Sequence, residues 1–362
     1  MLDFPASPTV GQQFTAAGVV WVWDGAKWAA SGLAGSPLVG GVNENRIING
    51  DMRIDQRNNG ASGTATAVYT ADRWAYGATQ AAKGTWQRGG PFLGPIGQSG
   101  FPYTLNFTSS SAYASLATDI FSFFQPIEAD MVSDFAWGTA SAQPVTLSFW
   151  VYSSLTGTFG GAVFNYPTPA TRSYPFTFNI PVANTWTKIT ITIPGDTAGT
   201  WVMTGNAAAF GVAFDLGSGA NFRNPAGAWG NGNYRGVTGA VSVVGTNAAQ
   251  FNITGVKLEI GSIATPFNRK SLAASLADCQ RYYQTGNLTG VGYQLNGGPF
   301  QVNTAFNVFM RATPTFTITG NSSGNITSLS LAGTVNSVWN LGTATAAGTV
   351  VVATGFTANA EL

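Results

Sequence analysis

Short runs in which apolar and polar residues alternate recur along the chain between residues 45 and 261. In the run VTLSFWVY, Val145, Leu147 and Phe149 point to one side and the residues between them point to the other. A period of two is typical of strands in a sheet with one face buried. Further runs are YTLNFTS, TKITITIPG, AAFGVAFDLG and FNITGVKLEI, with Gly and Pro turns between them. Strands at this spacing predict two packed antiparallel sheets, a jelly roll.

The charge content limits the partners that the chain can have. Only 9% of the residues are charged, and the 16 basic residues nearly cancel the 15 acidic ones. Because the basic residues are scattered singly, we expect no nucleic-acid partner. No run approaches the roughly 18 apolar residues of a membrane span, so we expect no membrane insertion. A surface with so little charge suits a subunit of an assembly.

We predict an all-β chain in four parts. Residues 1–42 form an N-terminal β-hairpin and a linker, and residues 43–268 form the jelly roll. Residues 269–286 are a helical junction, and residues 287–362 form a smaller C-terminal β domain. In the hairpin, the Asp24-Gly25 dipeptide suits a tight turn. The nearby Trp21, Trp23 and Trp28 are candidate docking residues, for contact with the same chain or with another protein.

The stretch SLAASLADCQRYYQTG is the one clear helical pattern. Ser271 is a suitable N-cap and Gly286 a suitable stop. The apolar residues recur at spacings of four, three and four, which is an a/d seam: Leu272, Leu276, Cys279 and Tyr283. A short isolated helix is marginal in water, so this stripe must be buried, either under its own jelly roll or against other copies. If the copies meet on a shared axis, Cys279 is a small, reduced, buried residue there.

The sequence offers little for catalysis. It contains no histidine, which removes His-dependent nucleophiles and the usual zinc sites. Glycoside hydrolysis needs only two carboxylates, and the candidate cluster is Glu128, Asp130 and Asp134. Their spacing gives no assured facing pair, so we interpret them as solvated surface carboxylates. We therefore predict no enzyme activity and no cofactor.

Two loops are candidates for glycan binding, which needs an exposed aromatic ring flanked by polar donors. The loop NFRNPAGAWGNGNYRG and the loop FNYPTPATRSYP supply, between them, Trp229, Tyr234, Asn231, Asn233 and Arg235, and Tyr166, Arg172 and Tyr174. The alternative for these aromatic residues is packing against a sheet end or a neighbouring subunit.

Many fragments in one order carry a resemblance over nearly the whole chain. They include NRIINGDMRIDQRN, YTADRW, QPIEADMVSDFAWG, ITGVKLEIGSIATPF, CQRYY, MRATPT and ANAEL. The chain closely resembles fibre and fibre-like virion proteins of tailed bacteriophages, whose central jelly roll is similar to carbohydrate-binding modules. The opening FPASPTVGQQFTAAGVVWVWDGAKW resembles a short module at the start of many phage fibre chains.

The resemblance implies a virion subunit, usually oligomeric, that contacts host surface glycans. We therefore predict a fibre or decoration subunit of the head, collar or tail, a homotrimer that joins other virion proteins through its N-terminal module and binds host polysaccharide. Its helix then lies on the trimer axis. The alternatives are a purely structural head, neck or tail protein and, third, a capsule depolymerase. Related jelly rolls often hold calcium where Asp51 and Glu259 lie here, but the oxygen ligands are too few, and we predict no metal.

Overall fold

The computed structural model of the protein describes residues 4–16, 19–23, 25, 27–33, 44–89, 100–166 and 171–362. At the N-terminus, three strands form an antiparallel sheet in the order β1-β2-β3, namely β1 Gln13–Ala16, β2 Val19–Trp23 and β3 Trp28–Leu33. The predicted hairpin is confirmed as β2 and β3, with Trp23 opposite Trp28. The sequence pattern did not predict β1, which pairs with β2.

The central unit is a sandwich of two large antiparallel sheets, as the alternating runs predicted. Its strands are β4 Val68–Ala71, β5 Trp74–Ala78, β6 Gly84–Gly89, β7 Thr104–Ser109, β8 Phe121–Glu128, β9 Val145–Ser153, β10 Gly157–Asn165, β11 Arg172–Ile180, β12 Thr187–Ile193, β13 Ala208–Asp215, β14 Arg223–Asn224, β15 Gly230–Asn231, β16 Gly236–Val237 and β17 Gln250–Ile260. One sheet has the order β15-β11-β10-β13-β8-β5-β4, and the other has the order β12-β9-β17-β7-β6. Strands β14 and β16 form a separate parallel pair. Short 3-10 turns lie at Ala129–Met131, Ser133–Phe135 and Ala220–Phe222.

The core of the sandwich is aromatic and lies between the two sheets. Phe149 of β9 and Phe214 of β13 belong to opposite sheets, and their ring centroids are 4.9 Å apart. Both side chains are buried, as is Trp74, whose ring also contacts Phe214. Large rings that interlock across the two inner faces bury much apolar surface, which is the main source of stability for such a sandwich.

The α-helix in the described part of the chain, α1, spans Leu272–Gln280. It begins as predicted, because the Ser271 hydroxyl accepts a hydrogen bond from the Ala274 N–H at 3.2 Å. Its end differs from the prediction, since residues from Tyr283 onward, including Gly286, belong to a strand. That strand pairs with a segment near the C-terminus, so a long-range contact overrides the local stop signal.

The predicted seam of the helix does not form one free face. Cys279 is buried against Ile48, Ile54 and Tyr282 of its own chain, and Leu276 packs on the same cluster. Tyr283 is also buried, whereas Leu272 at the start of the helix is 59% exposed. Cys279 and Tyr283 are thus already covered within one subunit. The helix packs on its own jelly roll, which is the other burial that the sequence left open.

The C-terminal unit contains seven strands in the described chain. They are β18 Tyr283–Gln294, β19 Pro299–Phe300, β20 Asn303–Ala305, β21 Thr315–Asn321, β22 Ile326–Gly333, β23 Ser337–Ala344 and β24 Gly348–Asn359. Strands β18, β24 and β21 form one sheet in that order, and β19, β20 and β22 each pair with β23 in a second sheet. The small core between them contains Leu288, Val338, Val352 and Phe356.

Charged residues join the C-terminal end to the jelly roll. Glu361 forms ion pairs with Arg57, at 3.2 Å, and with Arg73. The guanidinium of Arg73 lies over the Tyr282 ring, 3.6 Å from its centroid. Because the side chains of Arg73 and Glu361 are almost completely buried, this contact is shielded from solvent. It fixes the last residues of the chain on the sandwich.

Candidate functional site

The two loops predicted to bind glycans meet at one edge of the seven-stranded sheet. Strand β15 from the first loop pairs with β11, so that Asn231 lies opposite Arg172 and Gly230 lies opposite Ser173. Successive side chains of a strand point to opposite faces. The candidate residues are therefore brought to the same edge but divided between its two sides.

Trp229 and Tyr174 lie on the side that faces the sandwich core. The Trp229 ring contacts Trp137, Trp201 and Tyr174, with centroids 5.2, 5.5 and 5.3 Å away. Its Nε1–H donates to the Pro194 carbonyl at 2.8 Å. Tyr174 is buried, and burial raises the pKa of its hydroxyl. These two rings pack against the end of the sheet, which is the alternative that the sequence left open.

Arg172 is held by its own chain. Its Nε–H donates to Asp196 Oδ2 at 2.9 Å, and Nη1 donates to Asn231 Oδ1 at 2.9 Å. The hydrogen bond to Asp196 raises the pKa of the Arg172 guanidinium. The ion pair fixes the start of β11 and leaves Arg172 little capacity for a ligand.

The outer side of the sheet carries a stack of three side chains. The guanidinium carbon of Arg235 lies 3.4 Å from the centroid of the Phe164 ring, and the Phe164 and Tyr166 ring centroids are 5.8 Å apart. Phe164 and Tyr166 share this side because they are two residues apart at the end of β10. Arg235 is 8% exposed. Burial lowers the pKa of Arg235 to about 10, so the guanidinium remains charged at neutral pH.

Polar atoms beside this stack lack partners. In the described part of the chain, Arg235 forms no ion pair, and its guanidinium makes one long hydrogen bond, from Nη1 to the Tyr234 carbonyl at 3.4 Å. Asn233 Oδ1 is buried and accepts no hydrogen bond. The Tyr234 hydroxyl donates to the Asn231 carbonyl at 3.2 Å, which holds the half-buried ring at the rim. We refer to Phe164, Tyr166, Asn233, Tyr234 and Arg235 as the Arg235 patch.

Sequence reasoning missed Phe164, although it begins the quoted loop FNYPTPATRSYP. A period of two along β10 places residues 162, 164 and 166 on one side, and this signal was available in the sequence. The position of Arg235 above Phe164 was not available, because it depends on how the segment before β16 crosses the sheet. Strand β16 contacts β10, β11 and β13 there.

Of the three carboxylates interpreted as solvated surface groups, Asp130 and Asp134 are exposed, but Glu128 is not. Glu128 is buried, and it accepts from Arg281 Nε at 3.1 Å and from the Tyr282 hydroxyl at 2.6 Å. Asp134 pairs with Arg46 at 2.6 Å, and Asp130 accepts from the Gly205 N–H. Asp130 and Asp134 line a cleft of about 420 Å³, while Glu128 is held in the contact with the C-terminal unit. The prediction of a surface position was wrong for Glu128, because this carboxylate pairs with Arg281, which lies 153 residues later in the chain.

The two carboxylates considered for calcium already form ion pairs with basic side chains. Asp51 pairs with Arg53 at 2.7 Å and with Arg269 at 3.1 Å. Glu259 pairs with Lys257 at 3.0 Å, and both of these side chains are fully buried. Within the described ranges, no cluster of three or more His, Cys, Asp or Glu residues is placed to hold a metal ion. In the same ranges, no helix is long and apolar enough to cross a membrane.

The three candidate docking tryptophans contact one another and nearby phenylalanines. The Phe4 ring stacks on Trp28 at 5.4 Å and meets the edge of Trp21 at 5.2 Å. Trp23 lies 5.8 Å from Trp28. All three tryptophans are half-buried in this cluster. They form the small core of the N-terminal sheet and leave part of each ring at its surface.

Comparisons with known proteins show limited similarity. No protein-family model matches the sequence, and no curated protein matches it. A putative sugar binding protein from Bacteroides thetaiotaomicron is 12% identical over 60% of this chain and 100% of its own, with a TM-score of 0.36. The enzymatically active domain of tailspike protein 4 from bacteriophage CBA120 is 13% identical over 63% of this chain and 24% of its own, with a TM-score of 0.31.

The tripod from the baseplate of bacteriophage Tuc2009 is 12% identical, with 73% of this chain and 84% of that chain covered and a TM-score of 0.26. All three TM-scores are low. They carry no argument about function, which has to come from the site itself.

Proposed function

We propose that this protein is a bacteriophage fibre or decoration subunit on the outside of the virion, and that it holds a host surface glycan at the Arg235 patch. The observation that carries the glycan proposal is Arg235. A buried cation without a carboxylate partner is costly unless a ligand completes it. Here the cation lies over the Phe164 ring, and Asn233, two residues earlier in the chain, has a buried amide oxygen without a hydrogen-bond partner.

The chemistry of the patch suits a sugar. Acceptor oxygens of the glycan take hydrogen bonds from Arg235, and a sugar hydroxyl donates to Asn233 Oδ1. The rings of Tyr166 and Tyr234 offer apolar faces to the C–H side of the sugar. One such patch binds weakly. Several copies on one particle raise the effective concentration at a host surface that repeats the glycan.

We propose binding without cleavage. Glycoside hydrolysis needs two carboxyl groups that both face the sugar. Glu128 is occupied by Arg281 and Tyr282, and Asp134 is occupied by Arg46. Neither residue belongs to the Arg235 patch. Release of reducing ends from host polysaccharide by the purified protein would contradict this part of the proposal.

A glycan array on the purified protein, followed by titration of the best glycan, tests the site. Arg235→Met keeps the length of the side chain and its packing on Phe164 but removes the donors. We expect it to weaken binding about tenfold, or about 1.4 kcal/mol, and Tyr234→Ala to weaken it similarly. Asn179→Ala, at the exposed far end of β11, is the matched control and should bind normally.

Two results would contradict the assignment. If the array shows no glycan, the glycan proposal is wrong, and the alternative of a purely structural virion protein takes its place. If a glycan binds equally to Arg235→Met and to the wild type, the sugar lies elsewhere, and Trp229→Ala then tests the inner-side cluster.

Attachment to the particle is proposed for the N-terminal module. The partly exposed rings of Trp21, Trp23 and Trp28 offer an apolar contact to another virion protein. A chain that begins at Asn45 should keep its jelly roll but fail to join virions. Normal incorporation of this shortened chain would move the docking surface to another part of the protein.

A further inference from the structure

The C-terminal unit is almost free of charge. Residues 283–360 contain one charged residue, Arg311, although the whole chain has 16 basic and 15 acidic residues. Arg311 is bound at the junction, where it donates to the carbonyl of Asn206 at 2.7 Å and to that of Glu361 at 2.8 Å. The side chains that the two sheets of this unit present are therefore uncharged, mainly Thr, Ser, Asn, Gln and apolar residues. A surface without charges does not repel another copy of itself.

Strand β18 is oriented in an unusual way for a free surface. Its inward positions include Gly286, Gly290 and Gly292, where an added Cβ would collide with Phe356, Val302 and Phe300 respectively. Leu288 also points inward, whereas the odd-numbered residues from Thr285 to Tyr293 point outward, and Val291 and Tyr293 are 71% and 69% exposed. The second half of the strand thus has glycines on its inner side and Val291 and Tyr293 on its outer side. In a single copy, the apolar surface of Val291 and Tyr293 stays in water and contributes little to stability.

The exposed residues form one continuous face. Val291 lies opposite Val351 and Tyr293 lies opposite Thr349 on β24, so all four point away from the small core. Thr289 lies opposite Ala353 on the same face. Strands β18 and β24 pair over twelve residues, so the face is long and narrow and has an open edge at β18.

We propose that this face, formed by β18, β24 and β21, is the surface through which copies of this chain associate with one another. The uncharged face has no ion pairs to offer a charged partner, and it loses no charge solvation when it is buried. A second uncharged face of the same kind satisfies it best, and another copy of this module supplies one. The surface is distinct from the Arg235 patch and does not depend on glycan binding.

Native mass measurement on the full chain tests the proposal. The wild type should be an oligomer, with a mass that is a multiple of 37.6 kDa. Val291→Glu together with Tyr293→Glu should give monomers, because the contact would bury two unpaired carboxylates. Val182→Glu is the matched control. Val182 is 57% exposed and lies on the jelly roll, so this variant should keep the wild-type mass.

A second variant guards against loss of folding. Val291→Thr together with Tyr293→Thr keeps strand propensity and adds no charge, and it should weaken association about tenfold or more. Near-ultraviolet circular dichroism from the buried tryptophans of the jelly roll should match the wild type in every variant. A monomeric wild type would overturn the proposal, and it would do so even if the monomer bound a glycan on this face. An unchanged mass of the glutamate variant would also overturn it. Binding at the Arg235 patch, measured per chain, should persist in the monomers.

Discussion

The jelly roll and the C-terminal unit are both built from antiparallel strands, but they differ in what their side chains cover. The jelly roll buries rings such as Trp74, Phe149 and Phe214, and it pairs the buried carboxylates of Asp215 and Glu259 with cations. The C-terminal unit has a small core, almost no charge, and a strand that exposes Val291 and Tyr293. The jelly roll therefore draws its stability from its own core, whereas we propose that the C-terminal unit completes its packing against other copies.

The largest effect should come from the jelly-roll core. Phe214→Ala removes a ring that contacts Trp74, Phe149 and Phe176, and it should cost about 3–5 kcal/mol of unfolding free energy. Leu341→Ala in the C-terminal unit, where the side chain is 46% exposed, should cost less than about 0.5 kcal/mol in monomers. Urea unfolding measures both values. Equal losses in the two variants would mean that the buried ring of Phe214 contributes no more to stability than a half-exposed side chain of the C-terminal unit.

The junction between the two regions should show the next largest effect. Glu361→Gln leaves Arg57 and Arg73 without a carboxylate in a buried contact, and it should cost about 2–3 kcal/mol. Asp278→Asn is the control, because its pair with Lys270 is exposed and contributes about 0–1 kcal/mol. Hydrogen exchange should show faster opening of β24 in Glu361→Gln only. Equal exchange in both variants would mean that Glu361 does not fix the end of the chain.

Cys279 gives a smaller effect that depends on pH. Burial raises the pKa of its thiol well above the ordinary 9.0, so the folded state keeps the proton while the unfolded state loses it. Stability is therefore fully present below about pH 9 and falls as pH rises, by up to about 1.4 kcal/mol per unit. Cys279→Ala should flatten this decline in unfolding experiments between pH 8 and 10. An identical pH dependence in the variant, or rapid labelling of the native thiol, would place Cys279 at the surface.

The smallest effect is expected at the start of the helix. Leu272 is 59% exposed, so Leu272→Glu should change stability by less than about 0.5 kcal/mol and leave the native mass unchanged. Dissociation of this variant into monomers would mean that the copies associate through the helix, and it would weaken the contrast between the two β regions.

What the sequence could predict was mainly local. The period of two in VTLSFWVY and the other runs predicted the sheets, and Ser271 predicted the start of the helix. The end of the helix was not predictable in this way, because Tyr283 joins a strand that pairs with Asn359. The burial of Glu128 likewise depends on Arg281, which is remote in the chain.

For the candidate site, the sequence predicted the two loops but not the sides of the sheet. Trp229 and Arg235 are six residues apart in one loop, yet they lie on opposite sides, because the segment between β15 and β16 crosses the outer side of the sheet and places Arg235 over Phe164. Residue type alone marked both as equal candidates. The structure separates Trp229, whose ring and Nε1–H have partners, from Arg235, which forms no ion pair among the described residues.

The dependence of thermal unfolding on protein concentration tests most directly whether the C-terminal unit is completed by other copies. We expect the unfolding temperature of the C-terminal unit, monitored by hydrogen exchange of β18 and β24, to rise over about a hundredfold increase in protein concentration. In Val291→Glu with Tyr293→Glu, that transition should occur at a lower temperature and should not depend on concentration. A wild-type transition that stays constant over this range would contradict the account.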